Sequence, residues 1–461
     1  LQILVLMDYI KRENNFEILI DVDDENLFQA LNNIYNFKKI KKNPKFGFKR
    51  RYIKNYLSIF LAFFKIFILS ISFRKKNYQF NKNIFFSHLD QNYSFQSDPY
   101  WSNLFKKIDK NTFSVFLMDY EFFFKKKKDI KNIIYSSNFF TLKDFIVLVF
   151  KYLFVFNFRF QFNILKNNFK KDNKYLYYLT YDDFKKSISG AIFLENYYNN
   201  ISINNFMNLN KNKSINKIFY LCEFHPHENF INFYKNKIKT FGFVHSSLRF
   251  WLMNYFFPKK MPKYGSYFNF PSKILVNSQI CFQEFKNYYP KNILYKVEAI
   301  RNLNINSKLI KKFKNKKYKY DKTPLFLGDI QKNSTLEIIK MLNYNQKISK
   351  FYYKPHPDNN MQLKNFKKLK YISHKDFFDY AGKFKTLVFG STSISLELYL
   401  LGKNIIIFKD DLNLNISPLF KYITKKFSDS KNMILLRNKT NKINKYFYLD
   451  KNLTQWIKIL K

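Results

Sequence analysis

From about residue 80 onward, short apolar runs ending in polar residues alternate with longer segments of helical spacing, and this alternation constrains the fold more than any other feature of the sequence. The runs "NIFFSHLD" (83–90), "TFSVFLMDY" (112–120), "KIFYLCEF" (217–224), "KTFGFVHSS" (239–247) and "SKILVNS" (272–278) read as strands. Such alternation of strands and helices is the pattern of α/β architecture built on parallel sheets. In open sheets of this kind ligands meet the carboxyl ends of the strands, so the polar residues just past each run are the candidates for chemistry.

A lysine-dense stretch, "LIKKFKNKKYKYDKTP" (309–324), interrupts the pattern, which then restarts. "PLFLGDI" reads as a strand and 333–342 as a helix capped by Asn333 or Ser334, with Glu337 in capping-box position if Ser334 caps. "KFYYKPHP", "KTLVFGS", a helix from about 393 and "NIIIF" follow. A chain of 461 residues exceeds what one core supports, and the expectation is two α/β domains, 1–270 and 271–461. No repeat of fixed period is present, which argues against solenoids and propellers.

The net charge of +48 would ordinarily point to a polyanionic partner. Here the cations are mostly lysines spread along the whole chain. Lys, Asn, Ile, Phe and Tyr, all specified by A/T-rich codons, are abundant, so genomic base composition explains much of the excess. No nucleic acid is expected as a partner; an anionic membrane surface is the expected polyanion. Cys222 and Cys281, the two cysteines, form neither a disulfide framework nor a metal-ligand spacing, which fits a reducing compartment. The chain opens at Leu1 rather than Met, so its natural start is expected upstream. The predicted location is cytoplasmic, with room for peripheral attachment at the inner face of the cytoplasmic membrane.

Two apolar stretches, 56–73 and 145–158, are interrupted by Lys65 and Lys151. A spanning helix needs about 20 apolar residues, and a central lysine costs about 3 kcal/mol on insertion scales, so neither stretch is predicted to span. Core helices and interfacial helices with snorkelling lysines both remain open.

The most informative run is "LVFGSTSISLELYLLGKNIIIF" (387–408). A strand reaches Gly390, Ser391, Thr392 and Ser393 fill the turn, and a helix follows that ends at Gly402. Hydroxyls and free N–H groups at a helix start suit phosphate, although a plain Ser/Thr cap has the same sequence. Within the same unit "FYYKPHPDNN" (351–360) holds His356 between Pro355 and Pro357 at the end of the preceding predicted strand. Prolines fix that backbone, and an imidazole so held can donate to a phosphate oxygen.

This pair resembles the C-terminal nucleotide domain of GT-B-fold glycosyltransferases that use CMP-activated sugars, such as bacterial sialyltransferases and capsule Kdo transferases. The CDP-glycerol phosphotransferases of teichoic acid synthesis share a similar pair. "LCEFHPHENF" (221–230), "FGFVHSSLRFW" (241–251), "ILVNS" (274–278), "VEAIRNL" (297–303) and "DPYWSNL" (98–104) run in an order similar to a family of bacterial surface-carbohydrate biosynthesis proteins, glycosyltransferases of O-antigen and capsule clusters. The resemblance covers roughly 83–420. It implies two Rossmann-like domains facing a cleft, with His356, Pro357, Ser391, Thr392 and Ser393 on the nucleotide phosphate and Glu397 near the ribose. It implies no bound metal or other cofactor.

A transferase needs a base for the acceptor hydroxyl. Asp90, Glu223, His225, His227, Glu228 and His245 lie at or just past predicted strand ends, and Glu223, His245 and Asp90 are the catalytic candidates. Arg249 and Arg301 stand out among lysines as fork-shaped donors for a sugar carboxylate or phosphate, with His225 beside them as a substrate-binding candidate. The His225–Pro226–His227 spacing could chelate a metal, but no further convergent ligands accompany it. The expected activity is transfer from a nucleotide-activated sugar, CMP-linked, to a surface glycan or glycolipid. UDP-sugar or CDP-polyol transfer, and a non-catalytic basic protein binding membrane or nucleic acid, are the alternatives.

Overall fold

The computed structural model describes residues 45–71, 81–89, 93–124, 130–156, 190–209, 215–223, 225–247, 270–303, 305, 323–329, 332–356, 359, 361, 363, 366–372, 381–384, 386–408, 417–419, 433–436 and 443–461. By internal contacts the chain forms two compact units. One comprises Leu1–Tyr93, Asp109–Phe219 and His225–Thr240; the other comprises Ser94–Ile108, Tyr220–Phe224 and Phe241–Lys461.

The strands are β1 (Asn83–His88), β2 (Phe113–Met118), β3 (Ile133–Tyr135), β4 (Lys217–Leu221), β5 (Lys239–Val244), β6 (Lys273–Val276) and β7 (Leu294–Lys296), then β8 (Leu325–Leu327), β9 (Phe351–Lys354), β10 (Leu369–Tyr371), β11 (Leu387–Phe389), β12 (Ile405–Phe408) and β13 (Met433–Leu436). They build a seven-stranded sheet of order β3-β2-β1-β4-β5-β6-β7 and a six-stranded sheet of order β10-β9-β8-β11-β12-β13. In each, the order runs outward from the first strand, reverses and continues on the other side, which is the doubly wound Rossmann order. The fold is therefore α/β with two Rossmann-like sheets. Nine neighbouring pairs are parallel, and at the edge of the second sheet β13 runs antiparallel to β12.

All six residues of β2 are buried, as are five of six in β1, which is why those runs are continuously apolar rather than alternating. The flanking helices are α1 (Lys45–Ile71), α2 (Leu142–Phe156), α3 (Ala191–Leu209), α4 (Pro226–Phe233), α5 (Gln279–Phe285), α6 (Lys332–Tyr344), α7 (Ile394–Leu400) and α8 (Thr454–Leu460). Helix α6 begins at Lys332, so Asn333 and Ser334 lie within its first turn rather than capping it, a correction to the sequence expectation. Glu337 pairs with Lys340 at 2.9 Å on its exposed side. Helix α7 ends as expected at Gly402, with φ of +97°. There Lys403 N–H reaches Leu398 O and Gly402 N–H reaches Tyr399 O, the double closure of a Schellman end.

Candidate functional site

"DPYWSNL" is a bracket. The Asp98 carboxylate, 1% exposed, accepts from the backbone N–H groups of Tyr100 (2.8 Å) and Trp101 (2.7 Å) and so closes a tight turn. Trp101 is wholly buried against Phe243 of β5 and Trp456 of α8, with ring centroids 5.5 and 5.8 Å away. The Asn103 amide then donates to Ile300 O at 2.8 Å and pins the 3₁₀ turn Ile300–Asn302. Buried Glu298, three residues before Arg301, receives the N–H groups of Gln455 (2.9 Å) and Trp456 (3.3 Å) at the start of α8. It satisfies donors that a helix leaves unpaired.

This bracket brings four candidate side chains, Glu223, His245, Arg301 and Glu397, into one run with Tyr100. His245, directly after β5 and 6% exposed, faces Glu223 with Nε2 3.5 Å from Oε1. Tyr100 meets the His245 ring edge to face at 5.0 Å, and the Arg301 guanidinium lies 5.7 Å from the Tyr100 centroid. Arg301 acts in turn on Glu397 in α7, whose Oε1 accepts from the Asn302 amide at 3.0 Å. Burial pushes the Glu397 carboxyl up to about 7, against the opposing pull of Arg301 and Asn302. Chemically, a carboxylate beside an imidazole orients the ring and stabilises the cation formed when it takes a proton. A fork-shaped cation two contacts away can meet an anionic substrate group.

The ends of β8, β9 and β11 form a second cluster. Asp329, 2% exposed, takes both the backbone N–H and the hydroxyl of Ser391 on Oδ2. Its own N–H donates to Thr335 Oγ1 at 3.0 Å, and its carbonyl accepts from the Asn359 amide at 2.8 Å. Since β8 and β11 are where the strand order reverses, Asp329 and Ser391 straddle the crevice at which such sheets receive ligands. The approach depends on Gly390, where a Cβ would stand 2.8 Å from Asp329 Oδ2. Gly328 has the same function on the other side: a Cβ there would meet the Tyr353 ring at 3.0 Å and the backbone nitrogen of His356 at 3.1 Å. His356 thus sits at the end of the strand beside β8, and Asn359 N–H bonds its carbonyl at 2.9 Å. Thr392 accepts through its carbonyl from the Ser395 hydroxyl at 2.7 Å. Ser393 precedes α7 in helical conformation and its hydroxyl makes no cap bond.

In the other unit His225 precedes α4, where Pro226 takes the first helical position and buried Glu228 accepts from His225 N–H at 2.9 Å. Its ring stacks on His227 at 5.5 Å, and His227 meets His88 at 6.2 Å. Glu195 of α3 is raised by burial and by Glu121, with Lys65 and His225 pulling it down. Among the described residues no group of three or more His, Cys, Asp or Glu stands in metal-holding geometry. Asp90, Arg249 and Pro357 lie outside the described residues. Sequence reasoning missed Tyr100, Asn302, Asp329 and Glu195; the first three lie inside stretches it had singled out, but the Ser391 partner of Asp329 is 62 positions away.

No protein-family model and no curated protein sequence matches the chain. Solved structures with some likeness include UDP-GlcNAc 2-epimerase from Neisseria meningitidis bound to UDP-GlcNAc, at 12% identity and TM-score 0.32, over 46% of this chain and 65% of that one. The UDP-N-acetylglucosamine 2-epimerase of Rickettsia bellii aligns at 11% and 0.36, over 70% and 77% of the two chains. The wall teichoic acid polymerase TagF, in a variant soaked with CDPG, aligns at 9% and 0.35, over 77% and 76%. The chain thus spans about two thirds of the length of the first of these.

Proposed function

We propose that the protein is a glycosyltransferase that moves a sugar from a nucleotide-activated donor to a cell-surface polysaccharide or glycolipid acceptor. The observation that carries this reading is the run from Glu223 through His245 and Tyr100 to Arg301, whose charge acts on Glu397, with Glu223 and His245 just past the carboxyl ends of β4 and β5. The donor side is assigned to 271–461. There His356, Pro357, Thr392 and Ser393 meet the donor phosphate, Ser391 holds the turn through Asp329, and Glu397 meets the ribose. Arg301, with Arg249, receives the anionic group of a CMP-linked nonulosonate or Kdo-like sugar, and His225 is a separate substrate-binding candidate. Glu223 and His245 form the acid–base pair, with Asp90 as a further base candidate, and stabilisation of the leaving phosphate supplies the electrostatic part of the work. The resemblance of the sequence motifs favours CMP over other carriers.

Isothermal titration with CMP, CDP and UDP tests this. CMP binding that weakens at least about 10-fold in His356→Ala is the expected result. Tight UDP with weak CMP would replace the donor, and the absence of binding to all three would remove the transferase reading.

A further inference from the structure

Helices α1 and α2 contain the two apolar stretches interrupted by lysine, and their packing shows where those lysines go. Lys65 Nζ bonds Glu121 at 2.9 Å and lies 4.8 Å from the Tyr120 ring centroid. Lys151 Nζ lies 5.5 Å from the Tyr197 ring. Both ammonium groups meet neighbouring side chains, and most of what each helix presents to solvent is hydrocarbon, with Ser58 on α1 and Lys143 and Lys151 on α2 as the polar exceptions. From residue 56 to its end, α1 exposes one polar residue, Ser58; its other exposed positions are all apolar. Tyr56, Phe60, Phe64 and Phe67 recur every three or four residues and so form one stripe, with Phe60 67% exposed. On α2, Ile146, Phe150 and Leu153 repeat the same spacing, Phe150 at 60%. Phe67 touches Phe145 at 5.5 Å, which sets the two helices side by side, and Phe124, 71% exposed, adjoins Phe64 at 6.1 Å.

A surface helix in water keeps its outward face polar, and a large exposed apolar face marks an interaction site. No described helix is long and apolar enough to cross a membrane. The charge distribution selects the occupant. In sequence, Lys45, Lys49, Arg50, Arg51 and Lys54 fall in the first turns of α1, Lys125–Lys128 follow Phe124, and Lys143 is exposed on α2. Apolar stripes next to cations in the sequence, with Lys143 exposed on α2, describe an element that lies in a lipid interface and is drawn there by anionic headgroups. A second copy of the chain would instead bring +48 against +48.

We propose that this face of α1 and α2 docks on an anionic phospholipid bilayer, both helices resting at the headgroup–acyl boundary without crossing it. The inference is independent of the glycosyl-transfer reading. The test is flotation of the full chain with vesicles of equal parts phosphatidylglycerol and phosphatidylcholine, against vesicles of phosphatidylcholine alone. Flotation with the anionic vesicles, at least about 10-fold weaker with the neutral ones, is expected. The double variant Phe60→Asp, Phe150→Asp should lose about 10-fold or more of it with an unchanged circular dichroism spectrum, and Phe60→Ser, Phe150→Ser replaces it should the aspartates disturb folding. Three results would overturn the proposal: no flotation with either vesicle, equal flotation of wild type and folded variants, or a dimer abolished by the variants without vesicle binding.

Discussion

Glu223 and Asp329 are both carboxylates just past a strand of a Rossmann-ordered sheet, one after β4 and the other after β8. Asp329 is 2% exposed and is held by two donors from Ser391. Glu223 keeps its side chain 34% exposed and faces one imidazole at 3.5 Å. Equivalent topology thus serves two ends. In the second sheet the strand-end carboxylate is a brace, fully drawn into bonds that shape the crevice. In the first sheet it retains access to solvent and stands beside a group that can take a proton.

The contrast breaks first on turnover. Glu223→Gln keeps the shape and removes the charge beside His245, so the turnover of sugar transfer should fall by about 10²-fold or more while the urea midpoint stays within experimental error. Steady-state kinetics with the donor identified by calorimetry, alongside urea unfolding, reads both. A loss of stability instead would make Glu223 a brace like its counterpart.

Asp329→Ala should do the reverse. It leaves the Ser391 hydroxyl and N–H buried without their acceptor, at a cost of about 3 kcal/mol in unfolding free energy. Gly390→Ala strikes the same brace from the backbone side. The added methyl lies 2.8 Å from Asp329 Oδ2 and 3.2 Å from Ile338 Cδ1, and the carboxylate must shift, at about 2 kcal/mol. Both are read from urea unfolding; a neutral Gly390→Ala would show the brace to be slack.

The division between what the sequence showed and what it hid follows the same physics. Nine strands were legible as continuous apolar runs, most of them buried on both faces. The four that were not, β3, β7, β10 and β13, are the four sheet edges, where a strand has a neighbour on one side only. At the site, the strand-end rule located Glu223, His245, His356 and Ser391. Tyr100 and Asp329 stood in quoted stretches, "DPYWSNL" and "PLFLGDI", but their roles come from partners far along the chain, His245 with Arg301 and Ser391. The capping assignment at 333–337 failed for a related reason: Thr335 bonds across to Asp329, and α6 starts earlier to place it there.

Glu397 sharpens the contrast most finely, because it is a carboxylate in the second sheet's helix that the first sheet's side chains tune. Its carboxyl is raised from 4.5 to about 7, chiefly by burial, so the native state binds a proton where the unfolded chain has lost it. This contribution to stability is fully present below about pH 4.5 and is lost as pH rises through about 7. Unfolding free energy should therefore decline by about 1 kcal/mol per pH unit within that window. Glu397→Gln carries no proton to lose and still accepts from Asn302 through its amide oxygen, so its stability should lack that slope and exceed the wild type's above pH 7. Urea unfolding at pH 5, 6 and 7.5 measures the difference, and parallel curves for the two proteins would place the titration elsewhere.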